Sequence, residues 1–169
     1  MEKELCIIQM EIYIQYEGDW INDKREGNGK YILENGVFYI GQFKNGLRHG
    51  KGTIYYSNGN IQYEGDFIND KFEGNGKYIW ENGKYDIGEF KNGLMNGKGI
   101  QYYKNGSIKY DGDFVNDKYE GNGKRIYGNG EYYIGEFKND LRNGKGTMYN
   151  KNGDIKLKGN WINDEFVDN

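Results

Sequence analysis

Aromatic, glycine and polar positions follow one another along this chain in an order that keeps returning. Tyr16-Glu17-Gly18-Asp19-Trp20 is followed by Tyr39-Ile40-Gly41-Gln42-Phe43 and Tyr63-Glu64-Gly65-Asp66-Phe67. Next come Asp86-Ile87-Gly88-Glu89-Phe90, Tyr110-Asp111-Gly112-Asp113-Phe114 and Tyr133-Ile134-Gly135-Glu136-Phe137, with a weaker copy at Leu157-Lys158-Gly159-Asn160-Trp161. Successive copies lie 23 and 24 residues apart in alternation, the mark of a repeat array. In an extended segment, residues i, i+2 and i+4 share a face. Tyr16, Gly18 and Trp20 therefore look the same way, and the glycine leaves room for a large ring to lie over the backbone.

Each copy continues through a polar, turn-like stretch, as in Asn22-Asp23-Lys24-Arg25-Glu26. A second extended run goes from Gly27-Asn28-Gly29 to Leu33 and meets Asn35-Gly36. Asn-Gly between extended runs signals a hairpin, because both residues tolerate the positive φ of a tight turn. It recurs at Asn58-Gly59, Asn82-Gly83, Asn105-Gly106, Asn129-Gly130 and Asn152-Gly153. The prediction is all-β: an elongated, twisted antiparallel meander, or solenoid, of tandem β-hairpins with about 13–14 strands.

A longer period of 47 residues overlies the short one. Odd units read as Trp20–Lys24 followed by Gly27–Lys30; even units read as Phe43–Leu47 followed by Gly50–Gly52. The even units carry an extra residue, since Gly59 to Tyr63 is one longer than Gly36 to Tyr39. This predicts two edges of a curved ribbon in different environments. Residues 1–15 read as an N-terminal capping half-repeat, 16–153 as six repeats, and 154–169 as a C-terminal half-repeat.

Composition agrees with a thin, aromatic-rich sheet. There are 28 Gly, 17 Tyr and no Pro, and hydrophobic residues make up 36%, against about 45–50% in ordinary domains. An aromatic fraction of 17% argues against disorder. The net charge of −3 and pI near 5.3 predict no nucleic-acid partner. A single cysteine, Cys6, excludes an internal disulfide and a multi-cysteine zinc site. No apolar run reaches the roughly 18 residues of a membrane span. Glu2, Glu4 and Glu11 are unlike a signal peptide, so a cytoplasmic setting is expected.

No catalytic, cofactor-binding or metal-ligating residue is predicted. Gly50-Lys51-Gly52-Thr53 has glycines that could cradle phosphate, but it lacks the strand-to-helix context of a P-loop. His49, in the polar turn Arg48-His49-Gly50, has no nucleophile partner, and Asn96 and Asn143 stand at its counterparts. Glu17, Glu64 and Asp111 recur every 47 residues, too spread out to pair in a cleft. Lys30, Lys51, Lys77, Lys98, Lys124 and Lys145 read as one column along a ribbon edge. Such a column would meet an anionic membrane at about 1 kcal/mol per cation, with Lys51, Lys98 and Lys145 as the lipid contacts. Cross-strand pairing with Asp19, Asp66, Glu89, Asp113 and Glu136 is the preferred reading, because acids outnumber bases 26 to 23.

Tyr-x-Gly-x-[Trp/Phe], a polar turn, Gly-x-Gly and Asn-Gly at this period resemble the MORN (membrane occupation and recognition nexus) repeat over 16–153 and 157–169. The resemblance implies a ribbon with aromatic side chains stacked along a groove. Its groove or core residues would be Tyr16, Trp20, Tyr39, Phe43, Tyr63, Phe67, Phe90, Tyr110, Phe114, Tyr133, Phe137 and Trp161. Asp86 and Leu157 depart from the tyrosine position and interrupt the ladder. MORN modules occur in junctional membrane, cytoskeletal and division-scaffold proteins and in some lipid kinases. By resemblance the chain would be a non-enzymatic scaffold or protein-interaction module, cytoskeleton-associated, with protein partners. The alternative is a peripheral module binding anionic phospholipids such as phosphoinositides. Leu157–Asp164 reads as a lone last strand with an open edge, so a homodimer through the C-terminal half-repeat is expected. Asp164, Glu165 and Asp168 are the rival, charged guards of a monomer.

Overall fold

The computed structural model describes residues 15–167. All but Gln15 of the predicted N-terminal cap lies outside the described residues, as does Asp168. Every described element is a strand: β1 (Tyr16–Ile21), β2 (Lys24–Ile32), β3 (Phe38–Lys44), β4 (Leu47–Tyr55), β5 (Ile61–Ile68), β6 (Lys71–Ile79) and β7 (Tyr85–Lys91). These are followed by β8 (Leu94–Tyr102), β9 (Ile108–Val115), β10 (Lys118–Ile126), β11 (Tyr132–Lys138), β12 (Leu141–Tyr149), β13 (Ile155–Ile162) and β14 (Glu165–Val167). They form one antiparallel sheet in chain order, the predicted meander.

Two kinds of turn build it, both where the sequence suggests a turn, but the tight hairpin is the one at Asn22-Asp23 and not the one at Asn35-Gly36. Ile21 pairs with Lys24 across Asn22 and Asp23, whose φ values are 49° and 59°. This is the tight hairpin in which both turn residues are left-handed. Asn-Asp or Asn-Gly recurs at the same place in every unit. β2 thus starts at Lys24, and Lys24-Arg25-Glu26 is strand, not turn. At Asn35-Gly36 only the glycine has positive φ, 81°. There Leu33 N–H donates to Val37 O and Gly36 N–H to Leu33 O, each at 2.8 Å. Asn35 Oδ1 accepts from Val37 N–H at 3.1 Å, closing a longer loop with its side chain.

The extra residue of the even units makes a bulge. Ile54 pairs with Tyr63 but Tyr55 with Ile61, so Gln62 has no partner of its own. Lys109 and Lys156 are bulged in the same way.

One glycine from each of β1 through β13 stands opposite the next in an unbroken row, as in Gly18, Gly29, Gly41, Gly52 and Gly65. The row ends at Gly146 and Gly159. Above this trench lie the tyrosine rings. A β-carbon on Gly41 or Gly52 would enter the ring of Tyr39, and one on Gly65 or Gly76 would meet Tyr63. The high glycine content is therefore structural: it makes room for a core of rings on a single layer. Buried aromatics, Ile54, Met95 and Met148 make up that core.

The last strand is not alone. β13 pairs with β14 through Asn160–Val167, Trp161–Phe166 and Ile162–Glu165. This corrects the lone last strand in part: the turn at Asn163-Asp164, with φ of 49° and 69°, folds the chain back over Asn160–Ile162 and leaves Ile155–Gly159 without a second neighbour among the described residues.

Candidate functional site

Each ladder tyrosine meets two aromatics edge-on, one on its own strand and one in the next unit. Tyr39 lies 5.1 Å from both Phe43 and Phe67, Tyr63 lies 5.4 Å from Phe90, and Tyr133 lies 5.3 Å from Trp161. This geometry matches positive ring edge to negative ring face. Each hydroxyl turns back to the carbonyl three residues on: Tyr39 donates to Gln42 O at 2.9 Å and Tyr110 to Asp113 O at 3.0 Å. Burial pushes the Tyr39 and Tyr133 hydroxyls up to about 12, against the opposing influence of Arg48 and Arg142. Burial raises Tyr63, Tyr110 and Tyr119 further.

Ten of the twelve predicted groove or core residues are buried and Tyr16 is half-buried. Trp20 is the exception, 59% exposed. β1 has a neighbour on one side only among the described residues, so Trp20 meets the Tyr16 edge at 5.2 Å and is otherwise open.

A further row on the aromatic face escapes the sequence reading. Arg25, Arg48, Phe72, Met95, Tyr119, Arg142 and Phe166 stand opposite the aromatic that ends each Tyr-x-Gly-x-[Trp/Phe] stretch. Phe72 stacks on Tyr63, and Tyr119 on Tyr110, both at 3.7 Å. Arg142 lies 4.1 Å above Trp161, a cation held on a ring face. Arg48 Nε and Nη2 donate to Asp70 Oδ1 at 2.9 Å and to Asp70 O at 3.0 Å. Arg142 makes the same fork to Asp164, at 2.9 and 2.7 Å. Burial would raise the Asp164 carboxyl, but the bonds from Arg142 outweigh it and hold the group below its usual value. The signal was present in the sequence: these residues follow the tight turn at fixed spacing, within a stretch that reads as turn.

The centre of the ribbon is different. Asp86 replaces the ladder tyrosine and is only 6% exposed. Burial pushes its carboxyl up, while Trp80 and Lys109 oppose the rise. Trp80 Nε1 donates to Asp86 Oδ2 at 3.1 Å, and Trp80 itself is 48% exposed. Gln101 Oε1 accepts from Tyr119 Oη at 2.7 Å and from Lys109 Nζ at 3.2 Å. Burial holds the Lys109 ammonium below its usual value, Arg125 adding to the effect. A cavity of about 400 Å³ opens beside this cluster, lined by Phe72, Trp80, Asp86, Phe90, Met95 and Asp117 among others.

The lysines form two rows, not one column. Lys30, Lys77 and Lys124 share a row with Ile40, Ile87 and Ile134, and their ammonium groups lie 4.5–5.0 Å from the rings of Phe38, Tyr85 and Tyr132. The other row holds Lys51, which pairs with Asp66 at 2.7 Å, and Lys98, which pairs with Asp113. Lys145 stands opposite neutral Asn160. Glu89 and Glu136 instead accept the backbone N–H of Lys98 and Lys145, at 3.3 and 3.0 Å, where each strand bulges. His49 lies within β4, not in a turn. A third set of cations lines one edge of the ribbon. There Lys24, Lys44, Lys71, Lys91, Lys118 and Lys138 stand opposite exposed Ile21, Leu47, Ile68, Leu94, Val115 and Leu141.

A single open sheet of near-identical hairpins, cored by rings over a glycine trench, defines a class of repeat ribbon. The MORN repeat family model matches residues 16–38, 39–61, 63–85, 87–108, 110–132 and 133–155. The chain belongs to the MORN repeat family. It is accordingly a repeat protein of the interaction or membrane-binding kind, from a family that is generally non-enzymatic.

Proposed function

We propose that the chain is a non-enzymatic scaffold that binds protein partners along its ribbon, in a cytoplasmic, cytoskeleton-associated setting. The observation that carries this reading is the repeated apolar surface left open on a single-layer sheet. Ile40, Ile87 and Ile134 recur in one row on the face away from the ladder, each at least 40% exposed, and Trp80 stands open on the other. Recurrent exposed apolar side chains mark interaction sites, and a long array offers them at regular spacing. Crosslinking in source cells followed by peptide mapping tests the reading. A specific protein whose crosslinks span more than one repeat is expected, reduced by Glu at positions 40, 87 and 134. Recovery of no specific protein would overturn the reading.

Peripheral contact with an anionic membrane is the second reading, favoured by the edge where six lysines alternate with aliphatic side chains. Such an edge joins attraction to acidic headgroups with shallow apolar insertion. Flotation with phosphoinositide vesicles compares Glu at positions 51, 98 and 145 with Glu at positions 44, 91 and 138. Salt-sensitive binding abolished by either triple variant supports the membrane and locates its contact; absence of flotation removes the reading.

Pairing of two copies through the terminal half-repeat remains a finer form of the scaffold reading. Beyond β14 the Ile155–Gly159 edge has no second neighbour among the described residues, and Ile155 and Leu157 are exposed. Sedimentation equilibrium near twice the 19.7 kDa chain mass is the expected result, and a monomer the contrary one.

A further inference from the structure

The central unit keeps an arginine's acceptor and lacks the arginine. Met95 stands opposite Phe90 as Arg48 stands opposite Phe43 and Arg142 opposite Phe137. Asp117 is the counterpart of Asp70 and Asp164, and its Oδ1 accepts Met95 N–H at 2.7 Å just as theirs accept Arg48 and Arg142 N–H at 2.9 Å. In the even units 47 residues to either side, the same oxygen also takes a guanidinium Nε, and the main-chain carbonyl takes an Nη. Met95 has no such donor. It is buried and turned over Gly88 and Gly99, in the trench that Asp86 leaves without a ring. What results is the cavity bordered by Asp86, Met95 and Asp117, walled by Phe72, Phe90 and the half-open Trp80.

We propose that this cavity is a recognition slot for an arginine side chain supplied by a protein partner, completing in trans the arrangement that Arg48 and Arg142 complete in cis. The guanidinium forks onto Asp117 Oδ1 and the Asp117 carbonyl, faces the buried Asp86 carboxylate, and lies among aromatic walls. The paired acceptors of one residue suit a planar fork better than a lysine ammonium, which presents a point charge. An anion is disfavoured, because both carboxylates reach this cavity while Lys109 lines a separate, smaller one. The slot rests on the scaffold reading above.

The probe is N-acetyl-arginine amide, titrated while the indole N–H resonance of Trp80 is followed by NMR, with the indoles of Trp20 and Trp161 as internal controls for folding. A saturable shift at Trp80 is expected in the millimolar range, since one charge-assisted fork supplies only modest affinity. The uncharged citrulline analogue should give none. Asp117→Asn should weaken binding about tenfold or more, the share of a charged hydrogen-bonded pair. Met95→Arg should abolish it by filling the slot from within, while Asp70→Asn leaves it unchanged. No Trp80 shift, an equal response to citrulline, or undiminished binding by Met95→Arg would overturn the proposal. A partner crosslinked to the ribbon in the face of such a result would leave the scaffold reading standing and the slot alone refuted.

Discussion

The ring of Tyr39 fills the space that a β-carbon on Gly52 would need, so the two residues cannot both be ordinary side chains. Gly52 pairs with Gly41, also beneath that ring, and Tyr39 is fully buried. Gly52→Ala must displace the ring and its bond to Gln42 O. The cost is expected at about 2–4 kcal/mol, the range of forced overpacking with loss of a buried contact. Gly46 has φ of 86° and nothing near its missing β-carbon. Gly46→Ala should cost only about 1–2 kcal/mol, the strain of a left-handed alanine. Urea denaturation of both variants checks the order; equal losses would show that the ring yields freely.

Alkaline pH should unfold the ribbon. Tyr39 and Tyr133 ionise near 12 in the folded chain, against 10.0 for an ordinary tyrosine. The unfolded chain loses these protons first, so it binds fewer protons between the two values and stability falls as pH rises. The contribution is fully present below 10 and is gone above the folded value. Tyrosinate absorbance should therefore rise together with loss of the β-sheet circular dichroism signal. A smooth tyrosinate titration near 10 with the sheet intact would contradict the buried ladder.

The meander and its core were legible because each tyrosine, glycine and aromatic sits at strand parity, which fixes the shared face without any tertiary knowledge. Turn chemistry was less legible. Asn35-Gly36 and Asn22-Asp23 both look like tight-turn pairs, and the choice is made by distant geometry: Asn35 closes its own loop, while Asn22 and Asp23 take left-handed angles between paired strands. That displacement hid Lys24–Glu26 inside a turn and with it the row of Arg48, Met95 and Arg142. The lysine column failed for a different reason. Lys30 follows its row glycine, Gly29, whereas Lys51 precedes Gly52, and because Gly29, Gly41 and Gly52 stand in one unbroken row the two lysines fall on opposite sides of it. Asp86 was visible as an interruption, but the cavity beside it depends on where Met95 turns.

Removing the charge at Asp70 should cost more than removing it at Asp117. Asp70 Oδ1 accepts both the backbone N–H and Nε of Arg48, each at 2.9 Å, whereas Asp117 Oδ1 accepts only Met95 N–H among the described residues. Asparagine keeps the acceptor and tolerates the left-handed φ at both sites. Asp70 is partly exposed, so Asp70→Asn is expected to lose about 0.5–1 kcal/mol and Asp117→Asn less than about 0.5 kcal/mol. Thermal melts at low and high salt give the comparison. A larger loss at Asp117 would mean that its carboxylate already serves a cation of the chain itself.

Asp86 and Met95 should be energetically coupled, because each occupies the arrangement that the other's substitution demands. Asp86→Tyr alone sends a ring into the trench that Met95 fills, an overpacking worth about 1–3 kcal/mol of destabilisation. Met95→Arg alone reaches Asp117 but empties the trench, exchanging a buried apolar contact for an ion pair of small net value. The double variant reproduces the tyrosine and arginine of the even units 47 residues to either side, where Arg48 lies 5.8 Å from the centre of the Tyr39 ring and Arg142 5.8 Å from that of Tyr133. Its stability should exceed the sum of the single effects by about 1–2 kcal/mol, the usual range for residues in contact. A double-mutant cycle by urea denaturation measures this directly. Additivity within about 0.5 kcal/mol would mean that Met95 does not stand in for the missing ring, and that the central unit differs from its neighbours in chemistry without differing in packing.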